Sequence, residues 1–162
     1  MQRVYHLRQA IRRNYIFRDL EPRHIRALEH CAYLACFESG EWIFRKGNPA
    51  DAFYLIRHGR VRLTTNIPRV DNVTVQTLQR NDILGWSWLF PPYEWHFDAQ
   101  ALGAVDVILF EADAVRGLTE ADHELGYQLM RRFAEIMLQR MQFARMQMFE
   151  LNANNILPKK VS

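Results

Sequence analysis

The sequence predicts an α+β fold: a β-roll or jelly-roll barrel with short helices at its N-terminal end and one long helix at its C-terminal end. Three observations carry this. From Phe37 onward the chain is cut into short apolar runs by Gly40, by Gly47 with Asn48 and Pro49, and by Gly59, the pattern of successive antiparallel strands and turns. Before Phe37 the apolar residues recur at helical spacing. After Gly126 neither proline nor glycine interrupts the chain before Asn152, Asn154 and Asn155.

A chain of 162 residues, 49% apolar and 24% charged, has the length and composition of one domain with a sizeable core. No run approaches the roughly 20 apolar residues that span a bilayer, and the N-terminus lacks the apolar region of a secretory signal, so the expectation is a cytoplasmic protein with no membrane partner. Cys31 and Cys36 lack the pair spacing and neighbouring ligands of a zinc or iron–sulfur site, and two buried thiols are expected. His6, His24, His30, His58, His96 and His123 are scattered, so no metal or cofactor is expected. The net charge of +3 comes from dispersed arginines and the terminal Lys159 and Lys160, with no block that would grip a phosphate backbone.

In chain order, Val4 to Arg13 places Tyr5, Leu7, Ala10 and Ile11 as in an amphipathic helix that Asn14 can end. Residues 14–20 form a connector. Glu21 and Pro22 open a second helix, with Ile25, Leu28 and Ala32 on one face. Strands follow from Phe37 through Thr65, then a polar loop from Asn66 to Asn72, then a strand over residues 73–78. Asn81 and Asp82 turn the chain into the stretch that organises the rest, residues 82–101. There Gly85 opens a short helical run holding Trp86, Ser87, Trp88, Leu89 and Phe90, which Pro91 and Pro92 stop. His96, Phe97, Asp98 and Ala99 lead into a returning strand. A helical turn entered through glycine presents free backbone N–H groups, a natural anion receptor, while the same aromatics suit a plug closing one end of a barrel.

The series Gly40-Glu41, Gly47 with Ala50-Asp51, Tyr54, Ile56, Gly59 and Val61, followed by the strand into Gly85, resembles the cyclic nucleotide-binding domain of the catabolite activator and regulator family. The likeness covers residues from about Tyr15 to Leu151. It implies a β-roll, helices at both ends and a ligand cassette at Gly85 to Ala101. The family's cassette carries a Glu after the glycine for the ribose hydroxyl and an Arg before a Ser or Thr for the cyclic phosphate. Here Trp86 stands for the Glu, and Phe97 followed by Asp98 stands for the pair. An Arg–phosphate contact contributes roughly 1.5 to 3 kcal/mol, and an uncompensated carboxylate facing a phosphate adds repulsion of about the same order. Together the losses weaken binding by around a thousandfold. His96 offers a replacement cation, but an ordinary imidazole is mostly neutral at pH 7, and a hydrogen bond to Asp98 or Glu94 is the expected role. Trp86, Trp88, Tyr93, Trp95 and Phe97 either receive a flat or cationic ligand, with Asp98 and Glu94 taking positive charge, or fill the pocket themselves. The candidate ligand site is Gly85, Trp86, Ser87, Trp88, His96, Phe97, Asp98 and Ala99.

Thr119 with Asp122 reads as the start of the long helix. Along it Tyr127, Met130, Ala134, Met137, Met141, Ala144, Met148 and Leu151 recur in alternating steps of three and four, a heptad seam. A second stripe, Leu125, Leu129, Phe133 and Ile136 with Phe143 beyond, faces another way and is expected to pack on the β-roll. Two apolar faces imply a partner, and the resembled family dimerises through this helix. A homodimer with Met130, Ala134, Met137, Met141, Ala144 and Met148 at its interface is expected. The expected organisation is helices and β-roll over residues 1–118, dimerisation helix over 119–151 and a disordered tail over 152–162. With no helix-turn-helix after the long helix, direct DNA binding is not expected.

These readings make the chain a stand-alone regulatory or sensor module that is not a normal cAMP or cGMP binder. The alternatives are a true cyclic nucleotide binder with an atypical cassette, or an interaction subunit whose pocket is filled by its own rings. An enzyme is the weakest reading: Ser87, His96 and Asp98 name a triad, but no nucleophile elbow or oxyanion motif surrounds the serine.

Overall fold

The computed structural model describes the backbone of residues 2–156 and the side chains of residues 7–150. It divides into two compact units, one reaching to Gly126 and one beginning at Tyr127. The first unit holds α1 (Gln2–Arg13), α2 (Pro22–His30), β1 (Ala32–Phe37), β2 (Trp42–Phe44), β3 (Ala52–His58), β4 (Val61–Ile67), β5 (Val70–Leu78), β6 (Ile83–Leu84), a 3-10 turn at Ser87–Leu89, β7 (Asp98–Ala101), β8 (Val105–Glu111) and α3 (Ala112–Ala121). The strands form two antiparallel four-stranded sheets, ordered β1-β8-β3-β6 and β2-β7-β4-β5. This is the jelly-roll-like arrangement of antiparallel sheets with N-terminal helices and a long C-terminal helix that the sequence predicts.

Each corner glycine has a reason to be glycine. Gly59, at the β3–β4 turn, has φ +85°, and a Cβ there would sit 2.3 Å from the Ala104 carbonyl oxygen, so both the conformation and the space exclude a side chain. The core of this unit is aromatic. Phe53 on β3 stacks on Phe110 of β8 with centroids 4.6 Å apart, and Phe110 meets Phe17 of the α1–α2 connector at 5.4 Å. Phe17 and Ile16 are fully buried, so the connector is part of the core. Asn14, also buried, accepts the Ile16 N–H and donates to the Asn81 carbonyl, tying the end of α1 to the turn before β6.

Four boundaries differ from the sequence expectation. Ala32 begins β1 instead of continuing α2, because Cys31 closes the helix with its N–H on the Leu28 and Glu29 carbonyls and the next six residues pair with β8. Of the two cysteines Cys31 is buried and Cys36 is exposed. The polar loop at Asn66 to Asn72 is a tight hairpin: β4 runs to Ile67 and β5 restarts at Val70, with Arg69 and Asn72 taking positive φ. The returning strand is two strands, β7 and β8, one in each sheet, broken at Gly103 where φ is +128°.

The fourth difference is at the long helix. Thr119 lies in the last turn of α3, its hydroxyl donating to the Arg116 carbonyl. The helix α4 (His123–Ile156) starts after Asp122, whose Oδ1 accepts the N–H groups of Glu124 and Leu125. It runs through Asn152, Asn154 and Asn155 to Ile156, beyond the expected end; residues 157–162 of the expected tail lie outside the described residues. The hydrogen bond from the Leu125 N–H, with His24 and Arg23 adding to it against a desolvation cost, holds the Asp122 carboxyl below its ordinary range. A carboxyl so lowered stabilises the fold fully above the ordinary carboxylate range near pH 4 and loses that contribution as the pH falls through its lowered value. Asp122→Asn keeps the capping oxygen and removes the charge. It is expected to reduce Tm at pH 7 and to flatten the fall in Tm from pH 5 to pH 2; an acid limb as steep as the wild type's would rule this contribution out.

In the second unit Leu129, Phe133 and Ile136 are buried along one face of α4, while Tyr127, Met130, Met141 and Met148 are exposed on another. Phe143, expected to continue the buried stripe, is exposed, as are Leu138, Met146 and Phe149. From Leu138 to Glu150 every residue but Arg140 is exposed, apolar and polar alike. Among the described residues no helix is long and apolar enough to cross a membrane.

Candidate functional site

The stretch after β6 is built on Gly85, which is buried with φ +91°. A Cβ on Gly85 would meet the Trp95 ring at 2.8 Å, so the indole lies directly against the glycine backbone. Trp95 is itself held by a near-parallel stack on Phe44 of β2, centroids 3.8 Å apart, and is buried. The 3-10 turn Ser87–Leu89 gives the expected single helical turn and swings Trp88 to the opposite side, where it stacks on Phe53 at 4.9 Å and is 1% exposed. Arg116 of α3 fixes the loop from outside: its guanidinium donates to the Trp88 carbonyl at 2.7 Å, lies 4.3 Å over the Tyr93 ring and pairs with Asp113.

The exit is zipped to the β2–β3 turn. Ala50 N–H donates to the Tyr93 carbonyl, Trp95 N–H to Asn48 and Gly47 N–H to Trp95. At the head of β7, Asp98 is buried, and its Oδ1 accepts Arg45 Nε at 3.0 Å and the Lys46 N–H at 2.7 Å. Arg45 is in turn laid over the Trp42 ring at 4.1 Å. The expected Asp98–His96 contact is absent. His96 instead shares a 2.9 Å hydrogen bond between its Nδ1 and the buried Ser87 Oγ, and its ring stacks on Trp86 at 5.0 Å. Ser87 and His96 therefore meet while Asp98 is engaged elsewhere, and the three do not form a relay. Ala99 is fully buried in β7, paired with Leu63 and Phe44.

Of the candidate residues, Trp86 and Phe97 are half-buried and His96 is exposed; Gly85, Ser87, Trp88, Asp98 and Ala99 are buried. Sequence reasoning missed Arg45, whose partner is 53 positions away, and Arg116. It also missed Thr64, which lies across from Asp98 in the β4–β7 register and whose buried hydroxyl has no hydrogen-bond partner. Tyr54 lies between Phe37, Phe44 and Trp95, and burial, with the Asp51 charge adding to it, pushes its pKa up to about 12, so the phenol stays neutral. The Cys36 thiol is pushed up by its hydrogen bond to Asp106 and is a poor nucleophile. Among the described residues no group of three or more His, Cys, Asp or Glu is arranged to hold a metal.

An eight-stranded antiparallel roll, flanked by helices and interrupted by a glycine-led helical turn between β6 and β7, is the architecture of small-molecule-responsive regulatory domains. The family model for the cyclic nucleotide-binding domain matches residues 34–122, and the chain belongs to that family. A CRP-like cAMP-activated global transcriptional regulator of Mycobacterium tuberculosis is 26% identical over 123 residues, covering 76% of this chain and 55% of that protein; the chain thus spans about half the length of the curated relatives it matches. Among solved structures, a Geobacter metallireducens protein described as cyclic nucleotide-binding is 26% identical with a TM-score of 0.74, over 87% of this chain and 99% of that one. A cyclic nucleotide-binding domain of Methylobacillus flagellatus shares the fold at 18% identity and a TM-score of 0.74, over 99% of this chain and 86% of that one. The sensor domain of the regulator DNR from Pseudomonas aeruginosa shares it at 19% identity and 0.72, over 88% and 95%.

Proposed function

We propose that this chain is a regulatory sensor module of its family whose cassette does not take cAMP or cGMP in the family's manner, and which pairs with a second copy through α4. One observation carries the reading of the cassette. The residue standing where the family's phosphate-binding hydroxyl is expected is Asp98, a carboxylate, and it already holds a cation, Arg45, and a backbone donor, the Lys46 N–H. Seating a cyclic phosphate against Asp98 means breaking both contacts or burying two anions side by side. Trp86 and Phe97 offer rings in place of the family's ribose-binding acid and phosphate-binding base.

The surface left to a ligand is the half-buried Trp86 and Phe97 with the exposed His96, which suits a flat, uncharged or weakly cationic molecule. A second reading, an interaction subunit with a permanently filled pocket, is favoured by the Trp95 indole lying against Gly85.

The test is thermal unfolding with cAMP or cGMP at micromolar to millimolar concentration. A ligand that binds only the folded chain raises its stability by about 2.7 kcal/mol at 100 times Kd, so binding would be plain in Tm. The expected result is no shift with either nucleotide. An upward shift that saturates with concentration overturns the reading.

A further inference from the structure

We propose a second ligand site, for a compact oxyanion of two or more charges such as the terminal phosphate groups of a small metabolite, in the cleft between α1, β3 and the turn that precedes β6. The cleft has a volume of about 200 Å³, and its lining includes Arg13 of α1, Arg57 of β3 and Arg80 of the turn, with the amides of Gln9 and Asn81. None of its lining residues lies between Gly85 and Ala99.

Charge identifies the occupant. No carboxylate lines the cleft. Arg8, Arg23, Arg45 and Arg116 each hold a carboxylate, whereas Arg13, Arg57 and Arg80 hold none among the described residues. The nearby Asp82 carboxylate accepts the Gln79 N–H and is outside the lining. Three arginines from three separate elements thus border one concave space whose lining holds no carboxylate, and Arg57 also acts on the Cys36 thiol, itself hydrogen-bonded to Asp106. Guanidinium forks match phosphate oxygens in pairs, and Gln9 and Asn81 carry neutral amide donors.

The frame is built, not incidental. The buried Asn14 donates to the Asn81 carbonyl at 3.0 Å, Asn81 N–H donates to Ile56 at 2.8 Å, and Ile56 N–H donates to Asp82 at 3.0 Å. These bonds fix the ends of α1, β3 and the turn against one another, so the arginine backbones are positioned before any anion arrives. The volume falls below the roughly 300 Å³ at which pockets for drug-sized molecules begin and has room for a phosphate or diphosphate group. The turn carrying Arg80 and Asn81 leads directly into β6 and then Gly85, so an anion held there braces the strand that feeds the cassette.

The test is calorimetric titration of the full chain with inorganic pyrophosphate at ionic strength held constant with sodium chloride. Saturable one-site binding is expected, weakened about tenfold or more by Arg57→Gln and by Arg80→Gln. The Arg12→Gln variant, which removes an exposed charge outside the cleft, is expected to bind like the wild type. Far-UV circular dichroism checks each fold; if Arg57→Gln is unfolded, Arg80→Gln, in an exposed turn residue, decides. Absence of saturable binding, or equal affinity in wild type and Arg80→Gln, overturns the proposal. This readout is independent of the cAMP experiment, since either site can fail without the other.

Discussion

Replacing Trp88 with alanine is expected to lower the unfolding free energy by about 3 to 5 kcal/mol, the cost of removing a large aromatic from a closed core. That is a large part of the 5–15 kcal/mol by which a typical domain is stable, and at roughly 2 to 4 °C per kcal/mol it lowers Tm by about 6 to 20 °C. The reason is geometric. Trp88 leaves the cassette turn and enters the stack Trp88–Phe53–Phe110, the centre of the first unit's core. Trp86→Ala provides the contrast: its ring is half-buried and touches His96, so the expected loss is about 1 kcal/mol or less. Denaturant unfolding of both variants checks the pair. If Trp88→Ala were as stable as Trp86→Ala, the cassette rings would be interchangeable and Trp88 would not be part of the core.

The second large effect concerns α4. Met137→Glu combined with Met141→Glu is expected to abolish the proposed dimer and leave a monomer. Met141 is 52% exposed in the single chain, and Met130 and Met148 beside it on the seam are exposed as well, so an apolar strip is left uncovered along one side of the helix. Pairing two copies, as proposed, would cover it. A glutamate at each position would have to be buried without a cation, at a cost of several kcal/mol per charge, and each occurs twice in a twofold dimer. Light scattering is expected to give twice the 19.3 kDa chain mass for the wild type and the single mass for the variant. Equal masses for the two proteins would remove the seam as the interface.

Much of the roll was legible in the sequence because its corners demand particular residues. Gly40, Gly47, Gly59 and Gly85 all take positive φ; the first three fall between apolar runs that became strands, and Gly85 leads from β6 into the 3-10 turn. At the long helix Thr119 and Asp122 together read as the start in sequence, whereas Thr119 lies in the last turn of α3 and Asp122 alone caps α4. What could not be read depends on partners distant in the chain. Residues 32–37 are apolar and follow a helix, so nothing local tells a continued helix from the strand that pairing with β8 makes of them. At the site, Gly85 and the helical turn were readable, but the fates of the rings were not. Trp86, Trp88 and Trp95 look alike in sequence, yet one faces His96, one enters the core and one covers the glycine. Asp98 is the sharpest case: in sequence it is a bare acid facing an absent phosphate, and in the fold it is paired with Arg45, which lies in the turn after β2 with four strands between them. That cation changes the question from whether an acid repels a phosphate to whether a phosphate can displace an acid.

The most direct test is the spectrum of the four tryptophan indole N–H groups, recorded by two-dimensional NMR during a titration with cAMP. Trp86 and Trp95 flank Gly85, so a nucleotide seated there cannot leave them unmoved. The account predicts that all four signals keep their positions to millimolar cAMP. Saturable displacement of the Trp86 and Trp95 signals, with Trp42 moving as Arg45 leaves Asp98, would contradict it.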